Sequence, residues 1–199
     1  MSYQIKNSFL TVLLFSVTLI HLDRKLVSDA SNSDDITLFD FSKVKNLDDW
    51  LIINDGVMGG LSNSNFALSN HHTAIFSGVL RLENNGGFAS TRSKAMQLQL
   101  DGFKGIQVRV KGDGNKYQFR IRTNNQMDGV AYRYHFETIK NQWQTITIPF
   151  IQCIPVFRGQ ILRNLEDIKP NKIQQMGILI SDKQSGEFQL EIEWIKAYQ

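Results

Sequence analysis

The chain has 199 residues, enough for one domain with a substantial core, and its 42% hydrophobic and 21% charged content is that of a globular protein. A net charge of +3 is too slight to imply nucleic acid as a partner. Cys153 is the sole cysteine, which excludes an intrachain disulfide and a cysteine-based zinc site.

Behind Lys6, the run from Phe9 to Ile20 is apolar and of signal-peptide length. It is shorter than the about 20 apolar residues that a membrane-spanning helix needs. Ser28 and Ala30 supply the small residues of a cleavage site after Ala30. Residues 1–30 are therefore expected to be a signal peptide or short N-terminal anchor, 31–36 a polar linker, and 37–199 a single β-sandwich domain. The leader sets the expectation of an exported protein, periplasmic or secretory, or of one held at a membrane through its N-terminus. Scarce arginine, with Asp23 and Asp29 interrupting, counts against a mitochondrial presequence.

Thr37 to Phe41 reads as the first strand, and Asn46 to Trp50 as a turn leading into Leu51-Ile52-Ile53. Thr73 to Leu82 and Phe88 to Arg92 follow. Gly105 to Lys111 alternates cleanly, with Ile106, Val108 and Val110 on one face. Gly112-Asp113-Gly114-Asn115 predicts a hairpin turn into Tyr117–Arg122. Ala131 to Phe136 and Trp143 to Ile148 are further strands, the latter stopped by Pro149. Met176 to Ile180 is apolar on both faces, as in a central strand, and Phe188 to Trp194 closes the series. Leu165 to Lys169 is the one late segment expected to be helical. Many short strands with almost no helix predict an all-β fold, an antiparallel β-sandwich or jelly roll.

Two stretches stand out at the ends of apolar runs. Asn54-Asp55-Gly56-Val57-Met58-Gly59-Gly60 is echoed by Glu83-Asn84-Asn85-Gly86-Gly87-Phe88. Glycine takes positive φ without steric cost, and Asn and Asp tolerate it, so both read as special turns at hairpin-like positions. Their side chains Asn54, Asp55, Glu83 and Asn84 either tie the two loops together or meet a ligand, and tying is the expectation.

The outward positions of three successive strands carry Arg109, Lys111, Arg120, Arg122, Arg133 and His135. On neighbouring strands these form one cationic face, either a solvated sheet with cross-strand pairs or a partner and ligand face for carboxylate or phosphate. Arg109, Arg120, Arg122, Arg133 and His135 are the candidates for that face. No catalytic constellation stands out: His71 and His72 lie in a polar loop, and His135 lies on a sheet face without a nucleophile motif. No P-loop or dinucleotide fingerprint is present, and neither a metal site nor a cofactor is expected.

Taken in order, Trp50, NDGVMGG with Ser62, Phe76-Ser77-Gly78, ENNGGFAS with Arg92, Gly112-Asp113-Gly114 with Tyr117, Trp143 with Ile148-Pro149-Phe150, Phe157-Arg158-Gly159, Gly177 to Gln184, and Glu193-Trp194-Ile195 form one ordered pattern. This pattern resembles the complex I intermediate-associated protein family, from about Leu38 to Ala197. The resemblance marks Asn54, Asp55, Gly56, Met58, Gly59, Gly60, Ser62, Glu83, Asn84, Gly86, Gly87, Phe88 and Arg92 as signature-loop residues. It implies a galactose-binding-like jelly roll, related in shape to carbohydrate-binding modules. It also implies a non-enzymatic role, holding or chaperoning a protein partner, a subunit of a membrane complex, during assembly. Mitochondrial members are assembly factors for NADH:ubiquinone oxidoreductase. The alternative is a carbohydrate-binding module. Sugar sites present exposed aromatic platforms, whereas Tyr117, Phe119, Tyr132 and Tyr134 fall on the expected core face.

Overall fold

A computed structural model describes residues 35–126 and 128–199. The expected leader, and the expected linker up to residue 34, lie outside the described residues. Alternating apolar positions make the strands. They are β1 (Ile36–Asp40), β2 (Trp50–Asn54), β3 (Asn63–Leu68), β4 (Ala74–Leu80), β5 (Ala89–Ser93), β6 (Gly105–Lys111), β7 (Lys116–Arg122), β8 (Ala131–Glu137), β9 (Trp143–Pro149), β10 (Ile154–Phe157), β11 (Gln160–Ile161), β12 (Gln175–Ile180) and β13 (Gly186–Tyr198). On β6, Ile106, Val108 and Val110 are fully buried, as are Tyr117, Phe119 and Ile121 on β7.

The strands form two sheets. The six-stranded sheet runs β3-β4-β13-β6-β9, with β1 also paired to β13; the seven-stranded sheet runs β11-β10-β8-β7-β12-β5-β2. One edge of the long β13 pairs with β4 over Gly186–Ile192 and with β1 over Trp194–Ala197, and its other edge pairs with β6. The fold is the antiparallel β-sandwich that the strand pattern predicts.

An aromatic cluster stitches one end of the two layers. Trp50 of β2 stands 5.7 Å from Phe41, in the turn just after β1, and 5.0 Å from Phe66 of β3, ring centre to ring centre. Phe66 continues to Phe76 and Phe76 to Phe188. Each such pair adds about 0.5–1.5 kcal/mol beyond the area it buries.

Several expectations are corrected. Gly112–Asn115 is no hairpin: it carries the chain from β6 in one sheet to β7 in the other. Asp113 holds this crossing by accepting hydrogen bonds from the backbone N–H groups of Asn115 (2.9 Å) and Gln189 (2.7 Å), and from the Tyr117 hydroxyl (3.1 Å). The two Gly-rich loops are also crossings rather than hairpins, one joining β2 to β3 and the other β4 to β5. Leu165 to Lys169 is not helical; a 3-10 turn forms instead at Pro170–Lys172, where proline supplies the first φ. The polar strand β3 and the short β10–β11 hairpin escape a hydrophobicity reading. The hairpin is turned by Arg158 (φ 47°) and Gly159 (φ 82°), both left-handed.

Candidate functional site

The first Gly-rich loop begins as a 3-10 turn over Asp55–Met58, closed by Gly59 at φ 87°. Asp55 opens that turn and is fully buried. Its Oδ1 accepts the Ser62 backbone N–H at 2.9 Å. Its Oδ2 accepts the Ser62 hydroxyl at 2.5 Å and the backbone N–H groups of Gly87 at 2.6 Å and Phe88 at 3.3 Å. The Ser62 oxygen in turn accepts the Arg81 backbone N–H at 3.0 Å. Asn84, at φ 56°, reaches back to donate from Nδ2 to the Gly59 carbonyl at 3.1 Å. Asn54 accepts the Ser64 hydroxyl at 2.7 Å.

The two loops are thus one clasp, closed on a single carboxylate. Burial pushes the Asp55 carboxyl up, but the donors from Gly87, Ser62 and Phe88 outweigh it and hold the group below the ordinary range. Two glycines make room for it. A Cβ at Gly60 would stand 2.3 Å from Asp55 Cγ, and one at Gly86 would stand 2.6 Å from Asp55 Oδ2.

Val57 and Met58 project from the clasp, 75% and 63% exposed. With Phe88 they form one margin of a groove of about 760 Å³ on the outer face of the seven-stranded sheet. Arg92, Arg120 and Arg122 line the groove, with Gly177 between them on β12. Arg158 reaches it from the β10–β11 turn and is paired with Asp128 at 2.5 Å.

The expected cationic face is divided by the topology. Arg120, Arg122, Arg133 and His135 share the outer face of the seven-stranded sheet. Arg109 lies on β6 in the other sheet, where it faces Glu193 at 3.8 Å and Thr145 at 3.3 Å. Residues 112–115 change sheets, so alternation carried across them cannot place β6 and β7 side by side.

Burial, then the neighbouring charges of Arg133 and Arg122, lowers the Arg120 guanidinium to about 10. Burial, then the charge of Arg92, does the same to Arg122. His135 falls below its ordinary value, first through burial and then through Arg133. In the sequence Gly177 belongs to an apolar central strand and to the ordered family pattern; its place between arginines depends on strand pairing. Among the described residues, no cluster of three or more His, Cys, Asp or Glu side chains suits a metal ion.

The class that the described residues define is an antiparallel β-sandwich with a groove across the outer face of one sheet. Among solved structures, the family 11 carbohydrate-binding module of the cellulase Lic26A-Cel5E of Clostridium thermocellum superposes with a TM-score of 0.61 at 18% identity, over 82% of this chain and 93% of that one. An agarase, AgWH50C, superposes at 0.55 with 10% identity over 83% of this chain and 24% of its own. These likenesses show the fold.

Residues 39–192 match the family model described as Complex I intermediate-associated protein 30, and the chain belongs to that family. An uncharacterized protein of Schizosaccharomyces pombe is 30% identical over 75% of this chain and 77% of its own. The mouse protein named complex I intermediate-associated protein 30, mitochondrial, is 26% identical over 81% of this chain and 55% of its own. A Caenorhabditis elegans relative named as the probable equivalent is 24% identical over 100% of this chain and 63% of its own. The chain therefore spans between about half and two thirds of the length of these mitochondrial relatives.

The expectation of an exported protein is overturned by these names, since the mouse and both Caenorhabditis relatives are called mitochondrial. An apolar run near the start of a chain is a compositional signal that does not specify one compartment.

Proposed function

We propose that this chain is a mitochondrial, non-enzymatic assembly factor that holds a protein partner while respiratory complex I is put together. The observation that carries this reading is family membership across residues 39–192, joined to the names of its mitochondrial relatives. The groove beside the clasp is the holding surface: it has an apolar margin at Val57 and Met58 and a guanidinium floor.

The same groove is poorly suited to sugar. Phe88 is the single aromatic residue among those lining it, while Tyr117, Phe119, Tyr132 and Phe136 are buried in the core. The test is removal of the chain from its own cells, followed by native electrophoresis of mitochondrial membranes. Accumulated complex I subassemblies with loss of the full-size complex are expected. Full-size complex I at its normal level would overturn the proposal.

A further inference from the structure

The loop between β4 and β5 carries a reactive pair of residues. Asn84 and Asn85 stand at φ 56° and 59°, and the Gly86 N–H donates to the Glu83 carbonyl at 2.9 Å. Two successive residues in the left-handed region make this a tight turn of the mirror-image type, which favours asparagine and glycine. The following position admits glycine alone. A Cβ at Gly86 would stand 2.6 Å from Asp55 Oδ2 and 3.0 Å from the Glu83 carbonyl oxygen. The turn therefore calls for asparagine at 85, and the buried carboxylate calls for glycine at 86. Asn85 is exposed, and with Gly86 it forms the only Asn-Gly pair in the sequence.

An asparagine followed by glycine is the one most prone to lose its side-chain amide. Glycine has no side chain to shield its backbone nitrogen, and its conformational freedom lets that nitrogen turn onto the carboxamide carbon. We infer that Asn85 is a modification site, where the amide is lost spontaneously at a rate set by the clasp. The Gly86 nitrogen gives up its proton to base and bonds to Asn85 Cγ. The Cγ–Nδ2 bond breaks and ammonia leaves with a proton, closing a succinimide ring. Water then opens the ring. Cleavage between the Gly86 nitrogen and Cγ leaves aspartate. Cleavage between that nitrogen and the Asn85 backbone carbonyl carbon leaves isoaspartate, with the main chain running through Cγ. In sum, one water is consumed and one ammonia released.

The closed clasp opposes the first step. Glu83 engages the Gly86 N–H, and the Asp55 carboxylate beside Gly86 disfavours a nitrogen that has lost its proton. The Asn84 side chain adds a tether to the Gly59 carbonyl at 3.1 Å. Reaction therefore waits on local opening of the loop. The product in turn loosens the clasp. Isoaspartate lengthens the main chain just before Gly87, whose N–H reaches Asp55 Oδ2. Either product also adds a negative charge close to that carboxylate.

In the test, the full chain is incubated at mildly alkaline pH and digested with trypsin beside an unincubated sample. Peptide 82–92, released by cleavage after Arg81 and Arg92, is followed by mass spectrometry. A protein isoaspartyl methyltransferase with a labelled methyl donor reads isoaspartate separately. A blocked synthetic peptide of the same sequence gives the rate without the clasp. Amide loss is expected at Asn85 before any other asparagine, with isoaspartate among the products, and at least about tenfold slower in the native chain than in the peptide. Asn84→Gly keeps the left-handed preference and removes the tether, so it should bring the rate closer to that of its own peptide while the chain stays folded. Asp55→Ala should bring it closer still. Protein carrying isoaspartate should melt below fresh protein.

Loss first at another asparagine, or no conversion of Asn85 in the native chain on prolonged incubation, would overturn the assignment. Equal rates in the native chain and the peptide, or unchanged rates in both variants, would overturn the role of the clasp and the inference with it.

Discussion

The Asp55 carboxylate accepts the backbone N–H of Gly87 at 2.6 Å, joining two glycine-rich loops that lie 32 residues apart in the chain. Both loops cross between the sheets, so this contact fixes the mouth of the sandwich as well as the turn itself. It also positions Val57 and Met58 at the margin of the groove.

Replacing Asp55 removes the shared acceptor of three backbone N–H groups and a hydroxyl. Hydrogen bonds to charged groups contribute about 1.5–3 kcal/mol each, and buried donors left without acceptors add a further cost. Non-additivity within one cluster keeps the total below the simple sum. Asp55→Ala is therefore expected to destabilise the fold by about 3–5 kcal/mol in urea unfolding. A loss under about 1 kcal/mol would mean that the clasp is held by something else.

Gly60 and Gly86 are glycine because of Asp55, not because of their own backbone. Neither has positive φ, unlike Gly59 and Gly87 at 87° and 117°. Gly60→Ala should cost about 1–3 kcal/mol in the native chain, through overlap with Asp55 Cγ. The same change made in an Asp55→Ala background should cost clearly less. A double-mutant cycle with no coupling between the two positions would contradict this steric account.

The clasp also predicts a pH dependence. The folded Asp55 carboxyl titrates below its unfolded value of about 3.9, so protonation favours the unfolded chain. The stability it contributes is fully present above the unfolded value and is lost as pH falls through the folded one. Urea midpoints measured between neutral pH and about pH 3 should fall more steeply for the native chain than for Asp55→Asn. Parallel curves would show that Asp55 does not carry that part of the acid sensitivity.

Arg133 stands opposite Arg120, so reversing its charge tests the electrostatics of this pair directly. Arg133→Glu should stabilise the fold by about 0.2–1 kcal/mol at low ionic strength, with the gain fading as salt is added. A lower melting temperature at low salt would show that the Arg133 side chain supports the sheet through packing instead.

Much of the sandwich was legible in the sequence because alternation is a local property. Ile106, Val108 and Val110, and then Tyr117, Phe119 and Ile121, announce an inner face through spacing alone, and all six are buried. Asn63–Leu68 was not legible, because β3 is an edge strand with polar outward residues and little apolar signal. The groove was half legible. Alternation assigns its arginines outward, but it groups Arg109 with them because nothing local distinguishes a hairpin from a change of sheet.

The all-β class, the inner face of most strands, the two glycine-rich loops and the family to which the chain belongs can all be read along the chain. Each rests on local periodicity, turn chemistry or an ordered pattern along the chain. That both loops close on Asp55, that Arg109 stands apart, and that Gly177 lies between Arg92 and Arg120 emerges from strand pairing in the folded molecule. These are relations between strands distant in sequence. Register and sheet assignment arise when the whole core packs, and no short window of residues encodes them.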